Sequence, residues 1–179
     1  SASRASDVCR DIATTAYPAM SIAKYTLGNP QRRIVPPLAG FVSGQLAINA
    51  TSSLTTLGKT DVGRLRPNET NTLSFPSGHT STAAVYSTLG ARTARSMSFP
   101  PPVEKIIVGT YAILTVGTAW GRVEAQCHYP SDVLAGAALG YFFGAFCNDA
   151  FLVSEEKLDL SLTFDPLRSF ATAALRMDF

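Results

Sequence analysis

Two uncharged stretches limit what this chain can fold into more than any other feature: IIVGTYAILTVGTAW at 106–120 and VLAGAALGYFFGAFC at 133–147. Neither shows the polar/apolar alternation of a half-buried strand, and each is long enough to read as a helix. A membrane span needs roughly 20 apolar residues, so both are short for a bilayer and are expected at the centre of a helical bundle. Gly136, Ala137, Gly140 and Gly144 would let a neighbouring helix approach closely in either setting.

The rest of the chain agrees with a helical reading. Short helical patterns at 4–16 and 18–27 are separated at Pro18, and Gly28-Asn29-Pro30 signals a turn. The paired prolines at 36–37 suit the start of a helix running to about Gly58. Residues 59–77 are polar and read as a loop. Helices then follow from Gly78 to about Arg95, from about Val103 to Trp120, and from about Ser131 to Phe151. After the charged stretch SEEKLDLSLTFD comes a last amphipathic helix at 166–177. The expected fold is therefore all-α, a single bundle of about five to six core helices over 1–179. Its motif core is 59–132 and its C-terminal tail is 154–179. The aromatics Tyr86, Phe142, Phe143 and Phe146 are expected in the core.

Composition sets the outer bounds. At 179 residues the chain can bury one sizeable core. A net charge of +2 excludes nothing but a strongly basic nucleic-acid binder, and no nucleic-acid partner is expected. A mean hydropathy of +0.13 lies between soluble and polytopic proteins, and with helices this short the expectation is a soluble or surface-associated domain. Cys9, Cys127 and Cys147 stand at no metal-ligand spacing, and a Cys9–Cys147 disulfide and free thiols are both open. The opening SASRASDVCRDI is charged where a leader would be apolar, and a start at Ser1 fits a processed chain. The expected location is membrane-associated or exported, on the periplasmic or lumenal side, with any targeting segment removed.

The chemistry concentrates in three segments. The chain's two histidines lie in FPSGHT at 75–80 and RVEAQCHYPSD at 122–132, turns that lead into helices; KTDVGRLRP at 59–67 adds cations. A helix N-terminus offers unpaired N–H groups and partial positive charge to an anion. Gly78 removes a Cβ that would block close approach, and Ser77 adds a hydroxyl donor. Lys59, Arg66 and Arg122 supply permanent charge, the arginines with a fork suited to phosphate oxygens. Asp132 follows His128 by four residues across a helix start, a spacing that lets its carboxylate hold one ring nitrogen. The other nitrogen of His128 is then a nucleophile, and His79 can protonate a leaving oxygen.

The strings Lys59-x6-Arg66-Pro67, Pro76-Ser77-Gly78-His79 and Arg122-x5-His128-x3-Asp132, in this order, resemble the three-part signature of the type 2 phosphatidic acid phosphatase (PAP2) superfamily. VLAG after Asp132 resembles its lipid phosphatase branch. The resemblance implies a helical bundle and a metal-independent phosphatase with no cofactor, inhibited by vanadate as a phosphate mimic. It implies a phosphohistidine on His128, oriented by Asp132, with His79 as general acid and Lys59, Arg66, Ser77, Gly78 and Arg122 holding phosphate. The implied substrate is a phosphate monoester or diphosphate, on a lipid such as phosphatidate, phosphatidylglycerol phosphate, a polyprenyl diphosphate or a lipid A type glycolipid. A soluble phosphomonoester and a vanadate-dependent haloperoxidase are the alternatives. Two departures stand out: Gly121 where a serine is usual, and a link of only eight residues between Pro67 and Pro76.

Overall fold

The computed structural model describes residues 1–27, 35–152, 158–165 and 170–177. Five helices account for nearly all of it: α1 (Ala2–Leu27), α2 (Val35–Val62), α3 (Gly78–Arg95), α4 (Pro101–Glu124) and α5 (Pro130–Leu152). The bundle is all-α, as the sequence predicts. The turn expected at Gly28-Asn29-Pro30 lies outside the described residues.

Three element boundaries differ from expectation. Helix α1 runs unbroken through Pro18. Proline there removes one intrahelical donor, but Pro18 is exposed between core-facing Ala13 and Tyr17 and solvent-facing positions, so the freed carbonyl need not be buried. Helices α2 and α4 extend past Gly58 and Trp120, which puts Lys59 and Arg122 on their last turns rather than in loops. The tail holds no helix at 170–177. Strand β1 (Leu158–Asp165) pairs antiparallel with β2 (Phe170–Met177), in the register Leu158 with Met177 to Asp165 with Phe170. Leucine or phenylalanine at 158, 160, 162 and 164 alternates with polar residues, a strand period, and pairing overrides the helical pattern of its partner.

The helix at the centre is α3, not α4 or α5. It packs on all four others, and its buried positions are mostly small, among them Thr80, Ser81, Ala83, Ala84 and Gly90. One apolar cluster joins Tyr17, Ala47, Val85, Leu89 and Cys147; a second joins Ala13, Tyr111 and Leu114. The large side chains of α4 and α5 face outward: Ile113 and Trp120 are each 71% exposed and Leu134 is 69% exposed. Phe142 and Phe146 are exposed as well, while Tyr86 and Phe143 pack partly buried against the core. Only 28% of the apolar window of either helix is buried. The three cysteines carry free thiols.

Glycines of α5 set the distance to α3. A Cβ at Gly140 would stand 2.4 Å from the Ser81 carbonyl oxygen, and one at Gly136 would stand 2.5 Å from that of Ser77. Neither backbone atom can yield without moving the helix. Gly140→Ala is therefore expected to destabilise the fold by about 1–3 kcal/mol through overpacking. Gly109, whose added Cβ would meet nothing within 4 Å, is the control; Gly109→Ala should be neutral or stabilising by up to about 1 kcal/mol. Unfolding curves of the two variants under the same conditions check this, and equal stability of Gly140→Ala and the parent would contradict it.

Candidate active site

Four helix ends and one loop meet where the three motifs meet. Lys59 projects from the last turn of α2, and its Nζ donates to the Leu73 carbonyl at 2.8 Å. The loop from 63 to 77 is tied to itself by Arg66 N–H to Asn71 O (2.9 Å) and Ser74 N–H to Arg64 O (2.9 Å). Ser77 caps α3, with Gly78 and His79 in the first turn. Arg122 lies buried in the last turn of α4. His128 and Asp132 flank the start of α5. The Ser77 N–H donates to the Asp132 carbonyl at 2.9 Å, which joins the second motif to the third.

His128 is almost fully buried, and its Nδ1 lies 2.7 Å from the Ser74 carbonyl oxygen. A carbonyl only accepts, so Nδ1 carries the hydrogen and Nε2 keeps its lone pair. The orienting acceptor is thus a backbone group, not the Asp132 carboxylate expected from the spacing. Asp132 Oδ2 stands 3.9 Å from Nδ1, outside hydrogen-bond range. It accepts instead from Ser74 Oγ at 2.5 Å and from the Tyr129 N–H at 2.9 Å, while Oδ1 accepts from Arg64 Nη1 at 2.8 Å. Asp132 therefore braces the segment that holds the imidazole. Arg64 adds a bond to Ser131 Oγ at 2.7 Å and lies 4.1 Å over the Tyr129 ring.

Lys59, Arg66 and Arg122 place positive charge around His128. Burial first, then the nearby Lys59, Arg66 and Arg122, push its pKa down to about 4 against the raising effect of the Ser74 hydrogen bond. The ring is neutral at neutral pH, the form a nucleophile requires. Lys59 is itself lowered, first by burial and then by Arg66. The Nε–H groups of Arg66 and Arg122 are buried without a partner. Buried donors of this kind are costly to leave unsatisfied, and a multivalent oxyanion is the acceptor they lack.

His79 stands on a cavity of about 280 Å³ lined also by Lys59, Gly78, Thr55 and Arg10. Its Nε2 lies 3.0 Å from Asp7 Oδ1 of α1, and the same oxygen is 3.9 Å from Arg122 Nη1. Burial, then Arg122 and Arg10, lower the His79 pKa to about 4, with Asp7 opposing them. One expectation changes. The Ser77 hydroxyl is turned into its own helix, 3.0 Å from Thr80 Oγ1, as a cap. A Cβ at Gly78 would meet Lys59 and Thr55 side chains at an ordinary 3.6 and 3.7 Å, so the fold itself does not demand glycine there.

Arg64 counts among the cations of its motif without a role assigned from sequence, and Ser74 and Asp7 are residues that sequence did not single out. Arg64 sits within KTDVGRLRP two residues before Arg66, a visible signal. Ser74 acts partly through its backbone and Asp7 lies 72 positions from His79, and neither leaves a local mark. Among the described residues no three His, Cys, Asp or Glu side chains come together to hold a metal ion.

Known proteins resemble this chain in sequence and in fold. A 104-residue stretch is 36% identical to a lipid A 1-phosphatase of Porphyromonas gingivalis, covering 58% of this chain and 22% of that protein. The chain thus spans about a fifth of that relative's length. The fold matches a transmembrane PAP2 type phosphatidylglycerolphosphate phosphatase from Bacillus subtilis, with a TM-score of 0.55 and 18% identity over 83% of each chain. It also matches Aquifex aeolicus LpxE, with a TM-score of 0.50 and 20% identity over 79% of this chain and 84% of that one. The PAP2 superfamily model matches residues 14–154, which contain all three motifs and the four helix ends that carry them, and the chain belongs to that superfamily.

Proposed function

We propose that this chain is a lipid phosphate phosphatase working through a phosphohistidine on His128. The observation that carries the reading is a neutral, buried imidazole with a free Nε2, beside three cations of which two have unpartnered buried N–H groups. Lys59, Arg66 and Arg122 hold the phosphate oxygens and draw charge from phosphorus. The Nε2 lone pair attacks phosphorus as the ester oxygen leaves, and His79 gives that oxygen a proton. Water then attacks the phosphohistidine, with His79 taking its proton back, and releases inorganic phosphate. Protein cations supply the charge a metal would otherwise bring, so no cofactor enters the scheme.

His79 must be protonated for the first step, although its pKa is about 4 in the empty site. A bound phosphate dianion offsets Arg122 and Arg10 and raises it. Asp7 acts in the same direction, and we assign it as the positioning partner of His79.

Lipid is the substrate class that agrees with the exterior. Helices α4 and α5, at 24 and 23 residues, match a bilayer in length and turn their large apolar side chains outward. We read both as embedded in the membrane, with the histidines at the end where a headgroup would enter. The named activities of the relatives, on lipid A and on phosphatidylglycerolphosphate, support a lipid phosphate and leave its identity to assay.

Phosphate release should persist in EDTA and fall by about 10³-fold or more in His128→Ala; full activity in that variant would overturn the mechanism. A panel of lipid and soluble phosphates checks the class, and turnover of soluble esters alone would replace the lipid reading. Vanadate is expected to inhibit competitively.

The pH profile gives a second check. Because His128 is neutral above about pH 4, kcat/KM should lose its acid limb only near that pH. The basic limb of kcat reports loss of the His79 proton in the loaded enzyme. Asp7→Asn removes a group that raises the His79 pKa, so that limb should move to lower pH while the acid limb stays. An unshifted basic limb would remove Asp7 from the scheme.

A further inference from the structure

The bundle has a second concavity, away from the histidines. A cleft of about 360 Å³ runs between α3, α4 and α5, within the roughly 300–1,000 Å³ typical of ligand sites. Ala84, Ala112, Val116 and Tyr141 make its wall largely apolar, and Arg92 and Arg95 stand at one end of it. Arg95 lies seventeen residues along α3 from Gly78, about 26 Å at 1.5 Å per residue. That is close to the roughly 30 Å hydrocarbon thickness of a bilayer. With the histidines at one headgroup level, the arginines fall at the other.

The two arginines differ in their partners. Arg92 is paired with Asp149 of α5, whereas Arg95 is exposed and has no ion pair among the described residues. An occupant that suits this cleft is mostly apolar and finishes in an anion.

We propose that this cleft binds one anionic glycerophospholipid of the leaflet opposite the active site. An acyl chain lies along the apolar wall. The phosphodiester sits on Arg95 beside the Arg92–Asp149 pair. A phosphodiester with no terminal phosphate is not a substrate for the proposed reaction, so the lipid acts as a bound structural ligand. The proposal rests on reading α4 and α5 as membrane-embedded.

The test uses the full chain in nanodiscs of dioleoylphosphatidylcholine, with or without a minor fraction of dioleoylphosphatidylglycerol. Phosphatidylglycerol should raise Tm by several degrees in the parent and equally in His128→Ala, which separates the cleft from the catalytic site. The shift should vanish in Arg95→Gln, which leaves the Arg92–Asp149 pair intact, and in Ala112→Trp, which fills the cleft. Phosphate release by Arg95→Gln should be unchanged. An equal shift in Arg95→Gln and the parent, no shift with phosphatidylglycerol, or a shift that follows protein concentration rather than lipid would each overturn the proposal. The chain's one tryptophan, Trp120, is exposed on α4 and tests the underlying reading separately. Brominated acyl chains should quench its fluorescence in the parent, His128→Ala and Arg95→Gln. Absence of quenching would refute membrane embedding and this proposal with it, whereas quenching with no lipid-specific Tm shift would refute this proposal alone.

Discussion

A fully buried carboxylate, Asp132, holds the site together. Removing a charge from water is tolerated only where hydrogen bonds and opposite charge replace the lost solvation. Here the replacements come from separate parts of the chain: the Arg64 guanidinium, the Ser74 hydroxyl and the Tyr129 N–H. Meeting the needs of one side chain thus fixes the 63–77 loop against the start of α5. Ser74, so fixed, presents its carbonyl to His128. Loss of the carboxylate would leave several donors unpaired, at about 1–3 kcal/mol for each one left buried. It would also release the imidazole.

Polar closure of this kind needs helices that come unusually near each other, and the bundle is built to allow it. Its centre is lined by alanine, serine, threonine and glycine, and Gly136 and Gly140 bring α5 against the α3 backbone within a methyl group's reach. The larger apolar side chains are left for the outside. Large apolar side chains are exposed on several helices, Ile22, Phe41, Ile113, Trp120 and Leu134 among them. In lipid the same arrangement loses nothing, since packing of small residues drives helix association there and acyl chains cover the rest. On the proposed membrane reading, fold, location and substrate class share one physical cause.

Much of this was legible in the sequence, for identifiable reasons. Helices α3 and α5 announced themselves through a capping serine, a proline start and uninterrupted apolar character, and Lys59, Arg66, His79, Arg122 and His128 stood out through three strings whose joint order resembles the PAP2 signature. What escaped involved partners far apart in the chain. The i to i+4 spacing of His128 and Asp132 suggested direct contact, yet a carbonyl 54 residues away takes that place, and backbone acceptors carry no residue-type signal. Apolar content alone likewise could not say which helix was central: α3 is the less apolar sequence, and it is central because its side chains are small. The 170–177 segment kept a helical pattern and became a strand because its pairing partner supplied the alternation.

Catalysis in this account passes through a covalent bond between phosphorus and Nε2 of His128. The most direct measurement is mass spectrometry of the enzyme quenched under alkaline conditions during turnover of a lipid phosphate. An acid-labile phosphoryl group on the peptide containing His128, absent from His128→Ala, is the predicted result. Turnover with no phosphoryl-enzyme formed, or with the label on another residue, would contradict it.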